Sequence, residues 1–144
     1  MAVSHILGVK GRNVFTVRPN DTVEAVAKLL GEKRIGAVVV TDMAGHISGI
    51  VSERDVVRHI ALEGAGVLHK LASTIMTKNV LTCQDGDSEQ ELMALMTSKR
   101  IRHLPVVKDG KLNGMISIGD VVKFRIEAIE REAEEMKAYI AGAA

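Results

Sequence analysis

Apolar residues fall at helical spacing in two stretches, Val23, Val26, Ala27 and Leu30, and later Leu92, Leu95 and Met96. Each stretch leads into two short β-rich runs, 36–41 with 47–52 and 103–107 with 112–117. Asp42 to Gly45 and Lys108-Asp109-Gly110-Lys111 supply hairpin turns between them. A short extended segment precedes each helix, Val14–Val17 and Val80–Cys83, with turns at Pro19-Asn20-Asp21 and Asp85-Gly86-Asp87. Asp21-x-x-Glu24 and Ser88-x-x-Glu91 fit a capping box or its acidic variant. A second helix begins directly after Ser52 and after Ser117. The predicted unit is β-α-β-β-α, written twice.

The two copies align residue by residue. Residues 14–58 and 80–123 match with a single gap at Ala44, and fourteen of 44 aligned pairs are identical. Such a repeat fixes the architecture before any residue is given a role. The predicted organisation is a lead-in over 1–13, repeat one over 14–62, a connector over 63–79, repeat two over 80–126, and the end of a C-terminal helix with its tail over 127–144. That helix, roughly 118–140, carries Val122, Ile126, Ile129, Ala133, Met136 and Ile140 at heptad-like spacing, with glutamates, Arg131 and Lys137 elsewhere. The stripe packs either on its own domain or on a second helix, and the second case predicts a helix–helix contact in a homodimer.

Composition narrows the function classes. With 47% apolar and 26% charged residues, the chain has the profile of a soluble globular domain. Aromatics are limited to Phe15, Phe124 and Tyr139, so the core is aliphatic and platforms for stacking nucleic-acid bases are missing. A net charge of +1 argues against a phosphate-backbone footprint. No apolar run approaches the roughly 18 residues of a membrane helix. The opening MAVSHILGVKG has no long apolar stretch of a secretory signal, which makes the cytoplasm the expected location. Cys83 aligns with Val17 and reads as a small buried apolar position. The five histidines show no metal-ligand spacing. No Gly-x-Ser-x-Gly elbow or P-loop is present, and nothing positions Glu53 and Asp55 as an acid–base pair, so the chain is not expected to be an enzyme. Lys33-Arg34 and Lys99-Arg100 end the first helices, where cations complement the dipole.

One duplicated segment carries chemistry. Gly49-Ile50-Val51-Ser52-Glu53-Arg54-Asp55 is mirrored by Gly114-Met115-Ile116-Ser117-Ile118-Gly119-Asp120. Backbone N–H groups at a helix start favour an anion. The serine hydroxyl adds a donor, the carboxylate can accept from a vicinal diol, and the glycine lets a backbone or flat ring approach. The set suits the ribose and phosphate of a nucleotide. Ser-x-x-Asp is equally an ordinary helix cap with an acidic residue at the positive end.

With the Gly-h-h-Ser-x-x-Asp pattern at each repeat end (h, apolar), the Ile101-Arg102-His103-Leu104-Pro105-Val106-Val107 strand and the Ile75-Met76-Thr77 lead-in, the span 14–124 resembles a tandem pair of CBS (cystathionine-β-synthase) domains, a Bateman module. The chain looks like a stand-alone pair without a catalytic domain. The resemblance implies an α/β (α+β) fold of two pseudo-twofold-related repeats, clefts that bind adenosine compounds, and pairs that associate into a disc-like dimer. It further implies that Asp55 and Asp120 hold ribose hydroxyls, that Ser52 and Ser117 contact phosphate or ribose, and that Arg54 holds phosphate. Thr16 and Thr82, with backbone of Gly36, Ala37 and Val38 and of His103 to Pro105, would border the adenine. Lys10 and Arg12, just before repeat one, would reach a phosphate.

The copies differ at the cations. Arg54 becomes Gly119, while Gly36-Ala37 becomes Arg102-His103, so the two sites are not expected to be equivalent. Arg102 also fits an ion-paired surface position, and His103 a packed histidine. The cations favour a phosphorylated ligand: AMP first, then ATP or NAD(H), and S-adenosylmethionine last. The expected function is a non-catalytic sensor that acts on an unnamed protein partner, without nucleic acid or membrane. The alternative is a structural dimerisation module without a ligand.

Overall fold

The computed structural model describes residues 2–143. Both repeats begin with the same turn. The Arg18 N–H donates to Asp21 Oδ2 at 2.8 Å, and the Gln84 N–H donates to Asp87 Oδ2 at 2.8 Å. The next residue caps the helix. Thr22 Oγ1 accepts from the Ala25 N–H at 3.1 Å and Ser88 Oγ from the Glu91 N–H at 3.2 Å. The expectation that Asp21 caps the first helix is therefore corrected. Its carboxylate reaches back to close the turn, and Thr22, aligned with Ser88, takes the cap.

The elements in chain order are α1 (Ala2–Lys10), β1 (Thr16–Val17), α2 (Val23–Lys33), β2 (Ala37–Thr41), β3 (Ile47–Ser52), α3 (Glu53–Glu63), a 3-10 turn (Ala65–His69), α4 (Ala72–Ile75), α5 (Glu89–Lys99), β4 (His103–Lys108), β5 (Lys111–Ser117) and α6 (Ile118–Ala143). Helices α2 and α5 end at Arg34 and Arg100, both left-handed with φ 54°. The N–H groups of Ile35 and Ile101 then bond back to the carbonyls of Leu30 and Met96. The chain turns sharply there and enters the first long strand of each repeat.

Strand β2 lies between β1, parallel to it, and β3, antiparallel to it. Strands β4 and β5 form the matching antiparallel pair. The expected strand over Val80–Cys83 reduces to one parallel bridge, Cys83 to Val106. It repeats the relation of Val17 to Val40, the residues with which these two align. The hairpin of repeat two turns through Asp109 and Gly110 at φ 53° and 76°, the positive pair a two-residue turn of this hand requires.

The lead-in is not a plain extension. It forms α1, whose Val3, Ile6 and Leu7 are buried with Leu92, Leu104, Ile116 and Val121 in the core of repeat two. The connector does the converse: Val67, Ala72 and Ile75 pack with Val23, Val26, Val38 and Val51 of repeat one. Each repeat is thus completed by the segment that precedes the other. At roughly 1.5–3 kcal/mol per buried aliphatic side chain, the three α1 residues are a substantial share of the second core.

The repeated glycines mark where these segments cross. A Cβ on Gly49 would lie 2.6 Å from Met76 Sδ and 2.8 Å from the Thr77 carbonyl oxygen. One on Gly114 would lie 2.9 Å from Leu7 Cδ1, and its φ of +151° suits glycine as well. These glycines admit a packed chain segment, not the flat ring that the sequence allowed for. On α6, Val122, Ile126, Ile129, Met136 and Ile140 are all exposed. Among the described residues, no helix is long and apolar enough to cross a membrane.

Candidate functional site

The Ser-x-x-Asp segments sit where β3 runs into α3 and β5 into α6. In both, hydroxyl and carboxylate form a reciprocal capping box. The Asp55 N–H donates to Ser52 Oγ at 3.2 Å and the Ser52 N–H to Asp55 Oδ2 at 2.8 Å. The equivalent distances at Ser117 and Asp120 are 3.1 and 2.8 Å. Both segments are therefore caps. The cap leaves capacity unused, because each serine hydroxyl proton and each Oδ1 lies outside it. At Asp55, Oδ1 has Arg58 NH1 as a distant neighbour at 3.9 Å.

A cavity of about 270 Å³ opens beside the first of these caps. Repeat one lines it with Gly36, Ala37, Ile50, Ser52, Glu53, Arg54, Asp55 and Arg58. The connector contributes Thr77 and Asn79, and repeat two contributes Val80, Leu81, Arg100, Ile101, Arg102 and His103. The cleft thus lies between the repeats. Four guanidinium groups and an imidazole surround it, against the carboxylates of Glu53 and Asp55. Among the described residues, Arg54, Arg100 and Arg102 form no ion pair. A diol acceptor, a hydroxyl donor and several bidentate cations on one concave surface suit a phosphorylated sugar.

His103 of repeat two packs against Gly36 of repeat one. A Cβ on Gly36 would meet its ring at 2.9 Å, so the imidazole rests against bare backbone of β2's approach. Burial, then the nearby Arg102 charge, push its pKa below the usual histidine value, with Lys10 acting the same way and Glu53 and Asp120 opposing. The ring is packed and also lines the cleft, so both sequence readings of His103 meet in one position.

The second cap is already engaged. Lys10, at the end of α1, donates to Asp120 Oδ2 at 2.8 Å and to the Met115 carbonyl at 3.0 Å. Burial alone would raise the Asp120 pKa, yet the Lys10 ammonium and the Ser117 N–H hold it below the usual carboxylate range. Arg12 is likewise spent, on both oxygens of Asp85 at 3.0 and 2.9 Å and on the Asn113 carbonyl. Lys10 and Arg12, expected as free phosphate contacts, instead tie the lead-in to repeat two.

Of the other expected residues, Gly36, Ala37, Ser52, Arg54, Asp55, Arg102 and His103 come together on the one cavity, and Ser117 and Asp120 lie at the other cap. Thr16, Val38, Thr82 and Pro105 do not line the cavity. Val38 is fully buried opposite Val51, and the Pro105 carbonyl accepts from the Cys83 N–H. Thr77, Asn79, Val80 and Leu81 stand where Thr82 was expected, because the connector crosses the edge of β3 through a Thr77–Ile50 bridge. Arg58 and Arg100 were missed. Arg58 lies one helical turn beyond Arg54, a spacing that signals a shared face, and Arg100 was assigned wholly to the helix dipole.

The CBS domain profile matches residues 4–62 and again residues 72–127. The chain belongs to the CBS domain family. It is a tandem CBS pair, as the repeat implied. The mitochondrial CBS domain-containing protein CBSX3 of Arabidopsis thaliana is 32% identical over 148 residues, covering 97% of this chain and 72% of its own. A crystal structure of a CBS-domain containing protein from Agrobacterium tumefaciens is 48% identical with a TM-score of 0.83, covering 85% of this chain and 98% of that one. The crystal structure of CBSX2 in complex with AMP is 27% identical with a TM-score of 0.70, covering 81% and 90% of the two chains. Small adenosine ligands therefore occur among the CBS pairs to which this chain is similar.

Proposed function

We propose that this CBS pair is a non-catalytic sensor of an adenine nucleotide, with AMP the first ligand to try, held in the cleft beside Ser52 and Asp55. The observation that carries the reading is that one cavity gathers a diol-accepting carboxylate, a serine hydroxyl and the unpaired guanidiniums of Arg54 and Arg102. The AMP complex of the similar CBSX2 supports the choice of ligand. Asp55 holds the ribose hydroxyls, and Arg54, Arg58 and Arg102 hold phosphate. Ligand charge draws these side chains together across the two repeats, and differential affinity for the closed arrangement is the signal a cytoplasmic partner protein reads. Titration calorimetry with AMP tests this. Asp55→Asn keeps an oxygen for the cap and should weaken binding at least tenfold, as should Arg54→Ala. Unchanged affinity in both sinks the assignment.

A second reading is favoured by the exposed stripe on α6: a homodimerisation module whose capping boxes are only caps. Ile129→Glu with Met136→Glu should then convert a dimer to a monomer by sedimentation. No adenosine compound should shift the melting temperature of the unmutated chain. A melting shift with AMP would decide for the sensor.

A further inference from the structure

Helix α6 carries two separate stripes. Val121 is buried with Phe124 packed beside it in the core of repeat two, and Ala128 is half-buried on the same side. Past Ala128 every described residue up to Gly142 is exposed. The apolar seam of Val122, Ile126, Ile129, Ala133, Met136 and Ile140 lies about a third of a turn from the buried stripe, at roughly 100° per residue. Its own domain therefore leaves the seam uncovered, and about 20 Å of exposed helix carries most of it.

The charges that flank the seam select what covers it. Heptad spacing puts Lys123, Glu130 and Lys137 along one edge, and Arg125, Glu132 and the uncharged Tyr139 along the other. In a parallel, in-register pair of helices, edge residues meet edge residues five positions further along the second helix. Arg125 then meets Glu130 of the second copy and Glu132 meets Lys137 of the second copy, each twice by symmetry. Lys123 meets the apolar Ile118, so no like charges are opposed. Antiparallel helices bring equivalent edges together. With the seam fully overlapped, Glu130 faces Glu130, Glu132 faces Glu132 and Lys137 faces Lys123, all repulsive. Sliding the helices by one heptad relieves this only by leaving Val122 without a counterpart. Within the chain these groups are loosely held. Arg125 Nε is 3.8 Å from Glu89 and Lys137 Nζ is 3.6 Å from Glu134, while Glu130 and Glu132 form no ion pair among the described residues.

We propose that α6 pairs in parallel and in register with α6 of a second copy, so that two CBS pairs sit side by side at one end of a short two-stranded coil. The inference rests on the homodimer reading above and fixes its orientation; the sensor reading does not depend on it. The test places single cysteines in the full chain on a Cys83→Val background and oxidises them mildly. Ile140→Cys should give a covalent dimer, because only parallel helices bring two copies of this terminal seam position together. Ala138→Cys, on the outer face of the same turn, should stay uncrosslinked. Sedimentation of charge variants gives an independent readout. Glu132→Lys sets two like-charged pairs in the dimer and should weaken it about tenfold. Glu132→Lys with Lys137→Glu restores both pairs and should recover most of that loss. No crosslink at Ile140→Cys, a crosslink at Ala138→Cys as fast as at Ile140→Cys, or a charge swap that fails to rescue the dimer overturns the parallel pairing. A dimer of the unmutated chain in any of those cases leaves the homodimer reading standing with another geometry. An unmutated chain that sediments as a monomer overturns both.

Discussion

Lys10 Nζ lies 2.8 Å from Asp120 Oδ2, a contact that closes across 110 residues of chain. Among the described residues, the corresponding carboxylate, Asp55, has as its one ion-pair neighbour Arg58 of its own helix, at 3.9 Å. Two residues identical by repeat are thus put to unequal use, one bound internally and one facing the cavity. Lys10→Met should cost about 1 kcal/mol at neutral pH, since the pair is partly exposed and screened by solvent. Asp120 has a depressed native pKa, so its contribution is present above the unfolded carboxylate value near 4 and fades as pH falls through the native one. Urea denaturation at pH 7 should therefore separate wild type from Lys10→Met, and the two should converge in acid, below the unfolded carboxylate value. A gap that persists in acid would assign the loss to packing of the lysine stem.

The His103 imidazole should titrate below the ordinary value of about 6.5, because burial and the Arg102 charge disfavour its cation. A depressed native pKa stabilises the fold above the unfolded value and is lost as pH falls through the native one, so acidification should weaken the protein in that window. Imidazole proton shifts measured by NMR across pH 4–8 check this. Bound phosphate should reverse the direction and raise the midpoint. An unmoved midpoint with saturating nucleotide would place phosphate away from His103.

Cys83 should behave as an aliphatic residue. Burial pushes its thiol to about 12, with Asp87 and Asp85 adding to the effect. A thiol reagent at pH 8 should leave the folded protein unmodified and label it at once in urea. Cys83→Val copies Val17 of repeat one and should change stability by less than about 1.5 kcal/mol. Cys83→Asp should unfold the protein, because a buried unpaired charge costs several kcal/mol.

Gly49→Ala should destabilise by roughly 1–3 kcal/mol, because the new methyl meets Met76 Sδ and the Thr77 carbonyl below van der Waals distance. Met76→Ala in the same chain should recover part of that loss, since the sulfur is the nearest obstacle. Thermal melting of the two single variants and the double variant checks the coupling. Strict additivity would refute the contact.

The repeated unit was legible because its periodicities are local. Helix spacing, hairpin turns and the glycine-serine-aspartate segment each occupy a few consecutive residues, and duplication separated them from accident. The caps were legible to within one residue, and the Thr22–Ser88 alignment held the correction. The short α1 was not legible: it is nine residues long with Gly8 inside it and no cap signal, and its five apolar residues include the exposed Val9. Its crossing to the second repeat is long-range and leaves no local trace apart from Gly114. The same holds for Thr77 to Leu81 in the cleft, which owe their place to the connector's path. Lys10 was read for its charge alone, and its partner 110 residues away could not be inferred from that.

The exchange of preceding segments has a consequence for synthesis. On a ribosome, α1 emerges long before the strand that buries Leu7, and repeat one can complete its core only after the connector has followed. Neither repeat is a self-sufficient piece, so the chain cannot be cut at the repeat boundary into two independently stable halves. The contacts that bury α1 join residues far apart in the chain, and pairings of that kind slow folding relative to a bundle of the same size. Two separately expressed halves, 1–62 and 63–144, should each remain poorly structured by circular dichroism and gain order only when mixed.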